Sequence, residues 1–185
     1  FLAGKLGKRI APETVNVYDD GLLPSGIGTA PFDGEGVPHR RNPIIEKGVL
    51  KTYLYDTYTA DKAGAATTAS AQRGYSSLPS IGTSNWYLAA GKISRDEIIR
   101  STKRGLLVTA MLGHGANTVT GEYSRGANGL WIEDGEIAFP VQEITVAGNL
   151  LQMLQSIDAV GDDLDMRGSV GAPTIRFAEL TVSGT

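Results

Sequence analysis

Apolar and polar residues fall in short blocks along this chain, and most of the blocks read as strands. Thr14 to Tyr18 (Thr-Val-Asn-Val-Tyr) alternates, with Val15 and Val17 on one face. Val37 to Glu46 and Val49 to Tyr55 are two β-like runs joined at Lys47-Gly48, the pattern of a hairpin. Asn85 to Ala89 is a short strand, and Leu106 to Met111 is a continuous apolar run of strand length. Asn117 to Ser124 alternates again, with Val119 and Tyr123 on one side and Thr118, Thr120, Glu122 and Ser124 on the other. Leu130 to Glu133 and Glu136 to Phe139 flank Asp134-Gly135, a strong two-residue turn, and Val141 to Ala147 lengthens the second arm. Thr174 to Val182 is the final strand.

Helical signals are fewer and shorter. Residues 1–8 read as the tail of a helix ending near Gly7. Asp56-Thr57 caps a short helix that stops at Gly64. Ser94-Arg-Asp-Glu97 is a capping box that opens a helix to about Arg104, with Ile98 and Ile99 inward. Asn149 caps a helix to about Ile157, with Leu150, Leu151, Leu154 and Ile157 on one face. The loop over residues 19–36 carries Leu22, Leu23, Ile27 and Phe32 and is expected to pack rather than float. Residues 64–84 are small and polar and are expected to be mobile or to wait for a partner. The elements add up to one α+β unit over residues 1–185. Its sheet is mainly antiparallel, twisted or barrel-like, with a few short helices. Val119, Tyr123, Leu130, Ile132, Ile137 and Val146 are the predicted core set of the later strands.

Composition narrows the function classes. The 24 glycines among 185 residues exceed ordinary usage of about 7% and suit a chain rich in turns. With 41% hydrophobic and 20% charged residues the chain is too apolar to be disordered. No apolar run reaches the length of a membrane span. Without cysteine there is no disulfide, thiolate ligand or thiol nucleophile, which suits a cytoplasmic protein. A formal charge of −3, with scattered rather than clustered Lys and Arg, argues against direct nucleic-acid binding. The chain begins at Phe1 rather than Met and is expected to be a piece of a longer one.

Catalytic motifs are missing. His39 and His114 lie in separate segments with no two-histidine helix motif, and the ordinary reading is two polar loop residues. No Gly-x-Ser-x-Gly elbow occurs, and Ser70, Ser76, Ser77 and Ser80 read as turn residues. Asp162, Asp163 and Asp165 lack the spacing of a calcium loop. No catalytic residue and no metal ligand is assigned. The densest polar segment runs from Asn117 to Gly129. Small residues there let another backbone approach, and Arg125 offers a planar fork to a carboxylate. One reading is a groove for an extended peptide bound by strand addition, with Asn117, Thr120, Glu122, Ser124 and Arg125 as substrate-binding residues. The other is a twisted hairpin with bulges at Gly121 and Gly126 and a weak Glu122–Arg125 surface pair.

Thr120-Gly-Glu-Tyr-Ser-Arg-Gly-Ala127, Gly129-Leu-Trp-Ile-Glu-Asp-Gly-Glu-Ile137 and Pro140-Val-Gln-Glu-Ile-Thr-Val-Ala-Gly-Asn-Leu150 resemble the C-terminal region of the TldD/PmbA family, also called modulators of DNA gyrase. Leu23-Pro-Ser-Gly-Ile-Gly-Thr-Ala-Pro-Phe-Asp-Gly-Glu-Gly-Val37, Gly161-Asp-Asp-Leu-Asp-Met-Arg167 and Pro173-Thr-Ile175 extend the resemblance over the whole chain. It implies a zinc-dependent peptidase built from two related subunits. The TldD type carries a HExxxH zinc helix and a Cys ligand near its C-terminus. The PmbA type, also named TldE, lacks those ligands and pairs with the TldD type around a chamber for peptides or unfolded proteins. This chain has no HExxxH, and the stretch from Asp165 to Pro173 has no Cys, so it resembles the PmbA branch. Three functions compete. The first is a non-catalytic domain of the peptidase complex, with zinc in the partner subunit and no cofactor of its own, paired with a TldD-type subunit or self-associated. The second is an enzyme whose metal is recruited by His39 and His114 or supplied from upstream. The third is a regulatory binding protein of DNA gyrase without peptidase function.

Overall fold

The computed structural model describes residues 1–184. Among the described residues fourteen strands and three short helices follow one another. The first strands are β1 (Val17–Asp20), β2 (Arg41–Glu46) and β3 (Val49–Leu50), followed by α1 (Thr57–Ala63). Next come β4 (Ala71–Gln72), β5 (Ser80–Ile81), β6 (Trp86–Leu88) and α2 (Arg95–Arg100). The long strands are β7 (Arg104–Leu112), β8 (Glu122–Glu133) and β9 (Glu136–Asn149), which leads straight into α3 (Leu150–Gln155). The chain continues with β10 (Ile157–Val160), β11 (Asp165–Arg167), β12 (Val170–Ala172), β13 (Ile175–Phe177) and β14 (Thr181–Ser183).

Two sheets dominate. One has six strands in the order β11-β12-β6-β1-β2-β3, and the other has four in the order β14-β9-β8-β7. All pairings are antiparallel except β12 on β6. The α+β reading with a mainly antiparallel sheet and few short helices therefore holds. Among the described residues no sheet closes into a barrel, so the barrel-like alternative gives way to open, twisted sheets.

The turn chemistry works as its residues dictate. Lys47 (φ 48°) and Gly48 (φ 74°) turn β2 into β3, and Asp134 (φ 50°) and Gly135 (φ 84°) turn β8 into β9. Two consecutive left-handed residues match the right-handed twist of the flanking strands. The Asp56 carboxylate accepts the Thr59 amide at 2.7 Å to start α1, and left-handed Gly64 ends it. At α2 only the serine half of the capping box forms: Ser94 Oγ accepts the Glu97 amide, and the helix stops at Arg100 rather than Arg104.

The main core lies against the six-stranded sheet. Ile10, Val15, Val17, Ile44, Ile45, Leu50, Leu88, Ile157 and Val160 are buried together, with Leu151 and Leu154 of α3 packed on them. A smaller cluster of Ala127, Ile144 and Val146 sits on the four-stranded sheet beneath Leu106, Met111 and Leu180.

Several expectations are corrected. Residues 1–8 form turns, not a helix, because Gly4 and Gly7 adopt left-handed φ of 71° and 76°. Asn117 to Thr120 is a turn, and the strand begins only at Glu122. The last run divides into β13 and β14, which pair in different sheets. Ile132 and Val146 of the predicted core set are buried, and Tyr123 and Leu130 are half-buried. Val119 (79% exposed) and Ile137 (49%) face outward. The loop over 19–36 is anchored, but not by apolar burial, since Ile27 and Phe32 are 76% and 57% exposed. Its anchor is Asn85, which is wholly buried. The Asn85 amide donates to Asp20 O (2.7 Å) and Thr29 Oγ1 (3.0 Å) and accepts from the Gly28 amide (2.9 Å). Such a residue stays buried because both amide hydrogens and the oxygen have partners.

Candidate functional site

Two regions concentrate polar side chains, and one of them was not singled out as a site in the sequence. It is a cleft of about 630 Å³ whose lining includes Asp33, His39, Ser70, Gln72, Arg73 and Ser84. The stretch 64–84 forms its outer wall. Rather than a featureless loop, it contains the β4–β5 pair, with Ala71 opposite Ile81 and Gln72 opposite Ser80. Asp33 holds this wall to the body: Oδ1 accepts the Glu35 and Val37 amides, and Oδ2 accepts the Ala71 amide at 3.1 Å. Below it, Asn42 donates to Thr68 O, and Thr68 and Ser70 share a hydroxyl contact at 2.8 Å. Buried Ala69 takes a left-handed φ of 55°, a conformation that a non-glycine residue keeps only when its surroundings hold it there. The signals that could have found this wall are Asp33 in its Asp-Gly-Glu-Gly turn and the run of hydroxyl residues.

Behind the cleft, buried Asp19 is bonded to Ser84 of the lining. Asp19, 1% exposed, accepts the Ser84 amide (2.7 Å) and hydroxyl (3.0 Å) on one oxygen. Burial pushes its carboxyl up from the usual value, and the two Ser84 bonds bring it only part of the way back. His39 Nδ1 lies 3.0 Å from Ala30 O, so that nitrogen carries the proton. A raised folded-state value means the native state holds a proton that the unfolded chain has released. Stability from Asp19 is therefore full below the unfolded value, near 3.9, and is lost as pH rises through the folded one. Asp19→Asn keeps an oxygen for Ser84 and removes the titration. Urea unfolding at about pH 4 and pH 7 should show the variant gaining on the wild type as pH rises. An equal difference at both pH values would refute the assignment.

The second region is the predicted segment Asn117–Arg125. Asn117 Oδ1 accepts the amides of Val119 (2.9 Å) and Thr120 (3.1 Å), closing the turn before β8. Thr120 Oγ1 sits 3.4 Å from Glu122 Oε2. Glu122 and Ser124 are exposed on one face of β8, while Tyr123 and Arg125 are half-buried on the other. The structure thus brings Thr120 and Glu122 together and sets Arg125 apart from both. Glu122 and Arg125 form no ion pair, because residues three apart on a strand face opposite ways. The backbone is already paired on both sides. Gly115 O accepts the Ser124 amide and Glu122 O accepts the Asn117 amide, while β9 pairs residues Glu122–Arg125 along the other edge. No edge is open here for strand addition, so a ligand would meet side chains. The register shifts of β8 fall at Ala127/Gly129 and Trp131/Ile132, not at Gly121 and Gly126.

Among the described residues no three His, Asp or Glu side chains converge on a point that could hold a metal ion. The donors among these residues do not by themselves fit a zinc ion. Among the same residues no helix is long and apolar enough to cross a membrane.

Comparison with known proteins agrees with this architecture. The family described as PmbA/TldA metallopeptidase C-terminal domain matches residues 1–184. Metalloprotease PmbA of Escherichia coli O157:H7 is 37% identical over 184 residues, covering 100% of this chain and 39% of the relative. A Metalloprotease TldD homolog from Haemophilus influenzae is 30% identical, covering 100% of this chain and 42% of the relative. Among solved structures, TldE from Thermococcus kodakarensis superposes with a TM-score of 0.90 at 32% identity, covering 99% of this chain and 42% of that one. A Thermotoga maritima protein named for modulation of a DNA gyrase superposes with a TM-score of 0.91 at 37% identity, covering 98% and 42%. The chain spans 39% of the length of the PmbA relative. With the family match over 1–184 and the higher identity to PmbA than to this TldD homolog, the chain belongs to the PmbA/TldD metallopeptidase family, as a C-terminal domain of the PmbA branch.

Proposed function

We propose that this domain works in a PmbA-type subunit of a cytoplasmic TldD/PmbA zinc metallopeptidase complex that acts on peptides or unfolded proteins. In this reading zinc sits in a TldD-type partner, and this chain shapes the substrate chamber and the subunit interface without supplying a catalytic residue. Asn117, Thr120, Glu122 and Ser124 offer side chains to the substrate from the turn and one face of β8, and Arg125 does so from the other face. The observation that carries the reading is a doubly paired strand start bearing a guanidinium with no acceptor among the described residues, in a domain 37% identical to Metalloprotease PmbA. Family membership alone would not single out that segment.

The test uses the protein at the length it has in the cell, alone and mixed with a TldD-type subunit, on a denatured protein in the presence of zinc. Cleavage is expected only in the mixture. A Glu122→Ala subunit should slow it by roughly tenfold while still assembling, the loss expected for one charge-assisted hydrogen bond to substrate. Zinc-dependent cleavage by this protein alone would overturn the non-catalytic role. The name of the Thermotoga maritima relative favours one alternative, regulation of DNA gyrase. A change in gyrase supercoiling rate caused by this protein without peptidase activity would support that reading instead.

A further inference from the structure

Arg125 is the one residue among those described whose side chain has a polar atom closed off from solvent and left without a hydrogen-bond partner, its Nε. The rest of the guanidinium has no acceptor either, and no carboxylate pairs with it among the described residues. Arg41, Arg167 and Arg176, by contrast, each meet an aspartate, at 3.7, 2.8 and 2.8 Å. An arginine cannot shed its charge to escape partial burial. A cation stripped of water along one edge and unpaired is a standing cost to the fold.

Local structure fixes that cation in place. Strand β8 is bonded to Gly115 on one side and to β9 on the other, with Arg125 opposite buried Val146. Gly115 packs along the side chain: a Cβ there would stand 3.1 Å from Arg125 Cγ and would overlap Ser124 O. The guanidinium is therefore positioned by packing and not by hydrogen bonds. Its terminal nitrogens reach solvent, because only Nε is both enclosed and unpartnered. A partly desolvated, pre-positioned fork binds a carboxylate more strongly than a flexible surface arginine does.

We propose that Arg125 anchors a carboxylate of the polypeptide substrate, received end-on by Nη1 and Nη2. This rests on the peptide-processing reading above and names the chemistry of one subsite. The carboxylate comes either from the peptide C-terminus or from an Asp or Glu side chain.

Binding without turnover tests it, with the protein at its cellular length and three fluorescent tetrapeptides. One ends in a free acid, one is the same peptide amidated, and one is amidated with an internal Glu. The acid or the Glu peptide should bind about tenfold tighter than the plain amide, the effect of one charge-assisted pair. Preference for the acid identifies the C-terminus as the source, and preference for the Glu peptide identifies the side chain. Arg125→Met should abolish the preference, and Arg125→Lys should keep part of it. Equal binding of all three peptides by the wild type would overturn the proposal, as would a preference that survives Arg125→Met. Loss of TldD-type subunit binding in Arg125→Met would also overturn it, because the carboxylate would then belong to the partner. Melting supplies a further check. A ligand-binding arginine predicts that Arg125→Met melts no lower than the wild type. A fall of more than about 4 °C would assign Arg125 a structural role instead. Peptide-independent cleavage results distinguish the two readings: equal peptide binding with intact processing by the mixture removes only this subsite.

Discussion

Gly48→Ala is expected to destabilise the domain by about 3–5 kcal/mol. Gly48 sits at φ 74°, where an alanine costs about 1–2 kcal/mol for the left-handed backbone alone. Its Cβ would also overlap the carbonyl of Ala11 and come within 2.6 Å of Pro12 O. Those are backbone atoms, tied in place because Gly48 O accepts the amides of Ile10 and Ala11, while the Gly48 amide donates to Val15 O. Neither side can yield without breaking that lattice. Gly64→Ala is the control. It has a similar φ of 61° and nothing within 4 Å of the added carbon, so only the conformational cost of about 1–2 kcal/mol applies. Guanidinium unfolding of both variants should show the gap. Equal losses would mean that the Ala11–Pro12 strap is free to move.

Leu50→Ala should cost about 3 kcal/mol and lower the melting temperature by roughly 6–12 °C. Leu50 is 2% exposed and lies in the main core cluster. It pairs with Ile45 across the hairpin, and its backbone bonds the segment before β1: its amide donates to Lys8 O, and its carbonyl accepts the Gly7 amide. Truncation leaves a cavity between the hairpin and the segment before β1, and a cost within the usual range for a buried leucine follows. A loss below about 1 kcal/mol would show that the core repacks around the gap.

What the sequence displayed depended on how local each determinant is. Both two-residue turns, the Asp56 and Asn149 caps and the α+β character rest on neighbours within a few residues, and the pattern of side chains reveals them. The loop over 19–36 does not work that way. Its anchor, Asn85, lies more than fifty residues further along and meets it through polar atoms, so apolar content pointed to Leu22, Ile27 and Phe32 instead. The wall of the cleft was missed for the same reason, because Asp33 grips Ala71 from far away in sequence. At Asn117–Arg125 the residue types were visible, but not that both edges of the strand are occupied. The unmet Nε of Arg125 is a fact about its surroundings, which no count of charges records.

The order of strands in the six-stranded sheet also bears on how this domain is made. Strands β7, β8 and β9 are consecutive neighbours joined by short connections, so their pairing needs little loop closure. The other sheet places β12, from Val170–Ala172, beside β6 and one strand away from β1 at Val17–Asp20. While the chain leaves the ribosome, β7, β8 and β9 can pair with one another by Asn149, but the edge of β6 stays bare until Ala172 has emerged and that of β9 until Ser183. Both sheets thus keep an open edge while most of the domain is already made, and β12 and β14 act as the latches that end that exposure.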